Sequence, residues 1–223
     1  MSQTSLPVPA VSSRLLPIFP LGLVLQPGTA VPLHLFEPRY RQLLTDVRAG
    51  DCRFGILCAI PGVAERDLPP GRVGCIAEVT DVEMLPDGRS NIMIAGRERF
   101  VLERFVEHEA PYHVAEVTLL DDEASDSRVA VAVAADDVVQ HFRRVVQAVH
   151  VLNDDDSAPP PLPDDPALIA WAIAGMVDFD LQQRQALLES RSPLARLTMI
   201  DGVLRRVLPD LELKAAMHQA AGA

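Results

Sequence analysis

The sequence predicts an α+β chain, with its strands in the first half and its helices in the second. Three observations lead there. Residues 14–122 carry a succession of short apolar runs broken by Pro and Gly, with one segment of helical spacing among them. Residues 123–223 carry longer stretches in which apolar residues recur at three- and four-residue spacing. The composition changes at Asp121, towards Ala and Val. About seven short strands and a single short helix in the first half predict a closed or nearly closed β-barrel-like sheet. About four helices in the second half predict a bundle.

Residues 1–13 are Ser, Pro and small apolar residues without a period, the composition of a loose arm. Leu15–Pro20 is an apolar run. Its Pro17 and Pro20 cannot donate to a ladder, which makes it an edge strand or a strand end. Gln26-Pro27-Gly28 reads as a turn, and Val31–Phe36 as a strand. Pro38 suits the first turn of a helix. That helix places Tyr40, Leu43, Leu44 and Val47 on one face, and Gly50 is its expected stop. Phe54–Ile60 reads as a buried strand, Pro61–Gly71 as a loop and Cys75–Leu85 as a strand. Pro86-Asp87-Gly88 is a hairpin turn, and Asn91–Ala95 returns as a strand. Arg97–Glu109 follows as a separate stretch with Phe100, Leu102 and Phe105 among charges, and His113–Leu120 closes the set.

In the second half Ser127–Val151 has the spacing of a long helix. Asn153–Asp165, with three aspartates and a run of prolines, is an acidic Pro-rich linker. Leu168–Val177 is apolar nearly all round and contains Trp171, so burial is expected. Asp180 and Gln183 form a capping box for a helix through Glu189. Ser192-Pro193 opens a last helix, with Pro209 expected to interrupt it and a frayed tail to follow. The expected organisation is an arm at 1–13, a strand subdomain at 14–122 and a helical subdomain at 123–223.

Thirty-one acids against 20 bases give a net charge of −11 at pH 7. The excess is shared by both halves, so the chain as a whole repels phosphate backbones and no nucleic-acid partner is expected. The longest apolar run, Leu168–Val177, is far short of the roughly 20 residues of a spanning helix, and no membrane association is expected. No basic region precedes the N-terminal apolar stretch, and three cysteines at unhelpful spacing suggest a reduced, cytoplasmic protein.

The catalytic motifs are missing as well. There is no phosphate-cradling Gly-rich loop ending in Lys, no Ser elbow and no paired Cys, and the lone lysine, Lys214, has no activated serine in its context. His108 and His113 lack an acid or Cys to complete a metal site. Asp154–Asp156 lacks the alternation of a calcium loop. Cys52, Cys58 and Cys75 are expected to be buried and inert. No catalytic, cofactor-binding or metal-ligating residue is nominated, and no cofactor is expected.

One segment is more specific. Leu16-Pro17-Ile18-Phe19-Pro20-Leu21, Val24-Leu25-Gln26-Pro27-Gly28 and Val31-Pro32-Leu33-His34-Leu35-Phe36-Glu37-Pro38-Arg39-Tyr40-Arg41 together resemble the opening signature of the substrate-binding N-terminal domain of Lon proteases. Phe54-Gly55-Ile56, the Gly74–Val82 strand and Asp180–Glu189 with Arg196-Leu197 also fit that family, so the resemblance spans roughly residues 14–208. Gln26 departs from the signature, replacing its usual aromatic. The 223 residues hold no ATPase or peptidase module, and a stand-alone single-domain member of that family is expected. The resemblance implies a PUA-like β-barrel followed by a helical bundle.

By the same resemblance, the function is non-catalytic recognition of unfolded or exposed protein segments. The implied role is that of an adaptor or regulator in protein quality control, with a separate protease as a candidate partner. The candidate peptide-binding groove is a cleft between barrel and bundle, lined by Leu33, Leu35, Phe36, Tyr40 and Trp171. The signature residues Pro20, Pro27, Gly28, Glu37, Pro38 and Arg39 are expected to build the fold, with Glu37 and Arg39 tying the helix start to a neighbouring strand. Two alternatives stand beside this reading. PUA-like barrels in other families bind RNA, although Arg97, Arg99 and Arg104 here share a stretch with Glu98, Glu103, Glu107 and Glu109. A small-molecule enzyme is the other, with no residue to nominate for it.

Overall fold

The computed structural model describes residues 13–222. The arm expected at 1–13 lies, but for Ser13, outside the described residues, as does Ala223. The chain divides into two compact units. Of the described residues, 13–25 and 30–120 form the first, and 26–29 and 121–222 form the second.

The first unit holds a mixed sheet of six strands: β1 (Ser13–Leu21), β2 (Ala30–Leu35), β3 (Arg53–Cys58), β4 (Val73–Met84), β5 (Ser90–Val106) and β6 (His113–Leu119). The order is β2-β5-β4-β3-β1-β6, and β6 also pairs with β5. Helix α1 (Pro38–Arg48) and one 3₁₀ turn (Glu65–Asp67) complete it. Leu16, Ile18, Leu57, Ile76, Phe100 and Val117 meet in one buried cluster. Phe19, on the other face of β1, stacks on Tyr40 of α1 with ring centroids 3.6 Å apart. Tyr40, Leu43, Leu44 and Val47 are the buried face of α1, as their spacing required. Close approach explains Gly74, where a Cβ would run into the Phe100 ring and the Ile56 carbonyl.

Three local expectations need correction. β1 is no edge strand: it pairs with β6 through Ser13–Ile18 and with β3 through Ile18–Leu21. Each half of the strand has a ladder on one side only, so Pro17 and Pro20 each face a single neighbour and their missing N–H groups are tolerated. Asn91–Ala95 and Arg97–Val106 are one strand, β5, instead of two segments. The charges that seemed to interrupt it are cross-strand pairs, Arg97 with Glu78 at 3.0 Å and Arg53 of β3 with Glu98 at 3.2 Å. Finally, Gly50 is not the left-handed residue after α1. Cys52 is, with φ of 61°, and its N–H bonds the Val47 carbonyl at 2.8 Å.

The second unit holds α2 (Arg128–Leu152), α3 (Pro166–Ala174), α4 (Leu181–Glu189) and α5 (Pro193–Gly222). Val138 and Phe142 of α2, Trp171 and Ile173 of α3, Leu187 of α4 and Leu197, Ile200 and Leu204 of α5 belong to one buried cluster. No helix or strand occupies residues 153–165. Asp180 and Gln183 form the full reciprocal capping box at α4. Pro209 does not interrupt α5, and the segment expected to fray is helical through Gly222. The loss of one backbone bond is offset on both sides of the proline. Leu208 and Ala215 are buried, and Glu212 takes two hydrogen bonds from Arg144 of α2 at 2.9 and 3.0 Å.

Candidate peptide-binding surface

β2 is the terminal strand of the sheet, hydrogen-bonded on one side by β5. Its residues continue into rows across β5 and β4: on one face Pro32 opposite Met93 opposite Asp81 and His34 opposite Asn91 opposite Glu83, and on the other face Leu35 opposite Ser90 opposite Met84. The middle row is a hydrogen-bonded chain. His34 Nδ1 and Asn91 Oδ1 are 2.7 Å apart, and Asn91 Nδ2 donates to Glu83 Oε2 at 2.8 Å. This chain holds the His34 ring against Phe36, centroid to centroid 6.2 Å. Phe36 itself is 60% exposed and Met84 59%, large apolar side chains that the core does not use. Pro32 sits where edge strands tolerate proline, and it blunts pairing by a further strand.

Beside it, the helix start is built from charge. Glu37 caps α1 by position without a side-chain cap bond, and Pro38 is the first helical residue. Arg39 donates from Nε to Glu37 at 2.9 Å and through both terminal nitrogens to Glu65, at 2.6 and 3.0 Å. Glu65 also meets His113 Nε2 at 2.9 Å and the Tyr40 hydroxyl at 3.5 Å. The Arg39 guanidinium lies 4.4 Å from the Tyr40 ring centre. Burial pushes the Glu65 carboxyl up, but the bonds from Arg39 and then His113 outweigh it and hold it below the usual carboxylate range. The Glu65 bond raises the Arg39 pKa further above its ordinary value. Burial, then the Glu65 charge, moves the Tyr40 hydroxyl the same way. Glu37 and Arg39 thus anchor the helix start to the 3₁₀ turn and, through Glu65, to His113 of β6.

The sequence-nominated residues separate by burial. Leu33 is half-buried and Phe36 exposed. Leu35, Tyr40 and Trp171 are core residues, the first two in the first unit and Trp171 in the second. Arg196, with no exposed surface, lies over the Trp171 ring at 4.4 Å. Pro20 and Gly28 serve geometry, Pro20 opposite Leu57 in the sheet and Gly28 at φ of 76° in the turn begun by Gln26-Pro27. His108 and His113 serve different partners, the Ala110 N–H at 3.0 Å and Glu65. Cys58 and Cys75 are buried, and burial pushes the Cys75 thiol up to about 12, whereas Cys52 is half-buried. The sequence reading missed Glu65, Met84 and Met93. A loop acid carries no local signal. The methionines fall within the predicted strand runs Cys75–Leu85 and Asn91–Ala95, but their exposure depends on strand pairing that a single sequence does not reveal.

In the second unit a cavity of about 650 Å³ is lined by His150, Asp154, Asp155, Asp156, Arg143 and His218. Its walls pair among themselves, with His218 3.1 Å from Asp154 and His150 3.8 Å from Asp155. Among the described residues, no group of three His, Cys, Asp or Glu is arranged to hold a metal ion, and no helix is long and apolar enough to cross a membrane.

A mixed six-stranded sheet with a signature-bearing strand–helix corner, followed by four helices, defines the class. The chain belongs to the family described as the ATP-dependent protease La (LON) substrate-binding domain, whose pattern matches residues 15–206. It is 25% identical over 212 residues to the Lon protease of Trichlorobacter lovleyi, covering 93% of this chain and 26% of that protein. To the Lon protease of Azorhizobium caulinodans it is 28% identical over 212 residues, covering 93% and 24%. It spans about a quarter of the length of these relatives. Two solved structures share the fold. A Lon N-terminal domain protein from Xanthomonas campestris has a TM-score of 0.59 at 24% identity, covering 84% of this chain and 96% of that one. The N-terminal domain of a Mycobacterium avium complex Lon protease has a TM-score of 0.61 at 16% identity, covering 86% and 98%.

Proposed function

We propose that this chain is a non-catalytic module that holds unfolded or exposed segments of other proteins, an adaptor or regulator in protein quality control that works with a separate protease in the cytoplasm. Family membership supports substrate recognition. The observation that carries the reading on this molecule is the exposure of Phe36, which stacks on His34 on the face of the terminal strand that also carries Met93, together with exposed Met84 at the end of the Leu35 row on the other face. The buried Leu35 and Tyr40 stiffen the corner beneath it, and Trp171 does the same work inside the second unit. The return of β6 to β5 is in keeping with a PUA-like barrel, and the shared cluster of α2–α5 with a bundle.

A fluorescently labelled, permanently unfolded model protein tests the reading by anisotropy. Saturable binding in the micromolar range, weakened by Phe36→Ser and Met84→Ser and absent for the same model protein in its native fold, is expected. Equal binding of native and unfolded forms, or binding indifferent to both substitutions, would refute it.

A further inference from the structure

In the first unit, a pocket of about 420 Å³ opens between α1 and the β4–β5 hairpin, with Arg41, Thr45, Arg48, Met84, Gly88 and Ser90 in its wall. No acidic residue lines it. That is unexpected in a chain of 31 acids and 20 bases. Several arginines elsewhere in the unit are held by carboxylates, Arg53 by Glu78 and Glu98, Arg89 by Asp87, Arg97 by Glu78 and Arg104 by Glu116, while Arg72 donates to the Cys58 carbonyl at 2.8 Å. Arg41 and Arg48 have no carboxylate partner among the described residues. The acids on the same elements are engaged with other groups. Glu37 holds Arg39, and Asp46 accepts from Gln42 and from Tyr112, each at 2.8 Å. Glu83 accepts from Asn91 and Asp87 from Arg89. The Arg41 guanidinium lies against the hairpin glycine, Gly88, where any Cβ would collide with it.

We infer that this pocket takes the acidic side chains of a bound polypeptide, which makes the preferred segment apolar residues interspersed with Asp or Glu. The inference rests on the peptide-holding reading above, because Met84 and Ser90 of the pocket wall continue the row that begins at Leu35, next to Phe36. Arg41 and Arg48 are seven residues apart, two turns along one helix face, or about 10 Å. On an extended chain residues two apart share a face and lie about 7 Å from one another, and the length of the arginine side chains makes up the difference. Two carboxylates two residues apart therefore reach both arginines, while a single chain-terminal carboxylate reaches one.

The test uses two acetylated and amidated peptides, apolar apart from a pair of Glu two residues apart in one and the isosteric Gln pair in the other. Binding is followed by anisotropy with the unaltered chain and with the doubly substituted Arg41→Gln, Arg48→Gln chain, whose thermal transition is checked first. The Glu peptide is expected to bind between about threefold and about thirtyfold more tightly at low ionic strength, the range for two exposed ion pairs. The preference shrinks as salt rises and vanishes in the double variant, while the Gln peptide binds both chains alike. Equal affinity of the two peptides for the unaltered chain would overturn the pocket and leave peptide holding intact. A preference that survives the double substitution, or that appears only when the peptide C-terminus is left free, would also overturn it. So would displacement of the Glu peptide by a short single-stranded RNA at matched charge. Failure of both peptides to bind would overturn the pocket and the functional reading together.

Discussion

The Arg196–Asp122 pair supplies a sharp quantitative test, because its two partners are buried unequally. Arg196 has a fully buried side chain, while that of Asp122 is 34% exposed. The guanidinium makes two bonds of 2.6 Å to Asp122 and one of 2.9 Å to the Ser190 carbonyl, and it covers the Trp171 ring. In Asp122→Ala a cation remains where water cannot reach it, and stranding a buried charge costs about 3–5 kcal/mol. In Arg196→Met the carboxylate left behind rehydrates, and the methionine keeps part of the packing on Trp171. The loss is then mainly the cation–ring contact and some packing, about 1–2 kcal/mol. Removing the smaller, more exposed partner is therefore the more damaging change, the reverse of what side-chain volume suggests. The only tryptophan lies in the same unit, so urea unfolding followed by its fluorescence reports the right region. With a urea slope of about 1–3 kcal/mol per molar, Asp122→Ala moves the midpoint down by roughly 2 M and Arg196→Met by less than about 1 M. Equal shifts, or a larger one for Arg196→Met, would refute the reasoning.

Three further outcomes follow from the same geometry. Glu65→Gln, which weakens the hold on Arg39 and His113, is expected to cost about 1–3 kcal/mol at neutral pH. Because the folded carboxyl titrates below its unfolded value, its stabilisation is full above about pH 4.3 and is lost as pH falls through the depressed folded pKa. The melting-temperature gap between the two proteins should therefore close on acidification to pH 3, and a gap that widens would contradict the assignment. Phe36→Ala, at an exposed side chain, should change stability by no more than about 0.5 kcal/mol while weakening binding of an unfolded protein, measured by melting and anisotropy on one preparation. A thiol reagent at pH 7.5 should modify Cys52 in the native chain and spare Cys75, buried and with its thiol pushed up to about 12, as mass spectrometry of peptic fragments would show. Prompt labelling of Cys75 would mean that the sheet opens far more readily than its burial allows.

What was legible in the sequence was local. The face of α1, the capping box of α4 and the apolar α3 follow from spacing and side-chain chemistry that act within a turn or two. Non-local pairing was not legible. Pro17 and Pro20 marked an edge because a lone sequence does not reveal that β1 changes partners at Ile18. The charges of Arg97 and Glu98 looked like an interruption because their partners, Glu78 and Arg53, come from other strands. Pro209 looked like a stop because a local rule knows nothing of Leu208, Ala215 and the Arg144–Glu212 bonds that hold its flanks. The candidate surface follows the same division. Aromatic and apolar residues of the signature were easy to nominate, but whether each faces water or core is decided by tertiary packing, which left Phe36 outside and took Leu35, Tyr40 and Trp171 inside.

That division bears on how a recognisable signature relates to recognition itself. Glu37, Arg39 and Tyr40 converge on Glu65, which also meets His113 of β6, so one carboxylate ties α1, the 3₁₀ turn and the sheet together. Residues bound this tightly to one another have little left to offer a ligand. Arg39 has all three of its nitrogens bonded to carboxylates, whereas Arg41, two residues on and turned to the other side of the helix, has no carboxylate partner among the described residues. On the proposed reading, the residues that touch a partner are those the signature spends on nothing else: Phe36 between strand and helix, Met84 on the β4–β5 hairpin, and Arg41 and Arg48 of α1. The signature then holds a corner rigid, and the side chains left over around that corner are the ones the proposal assigns to binding.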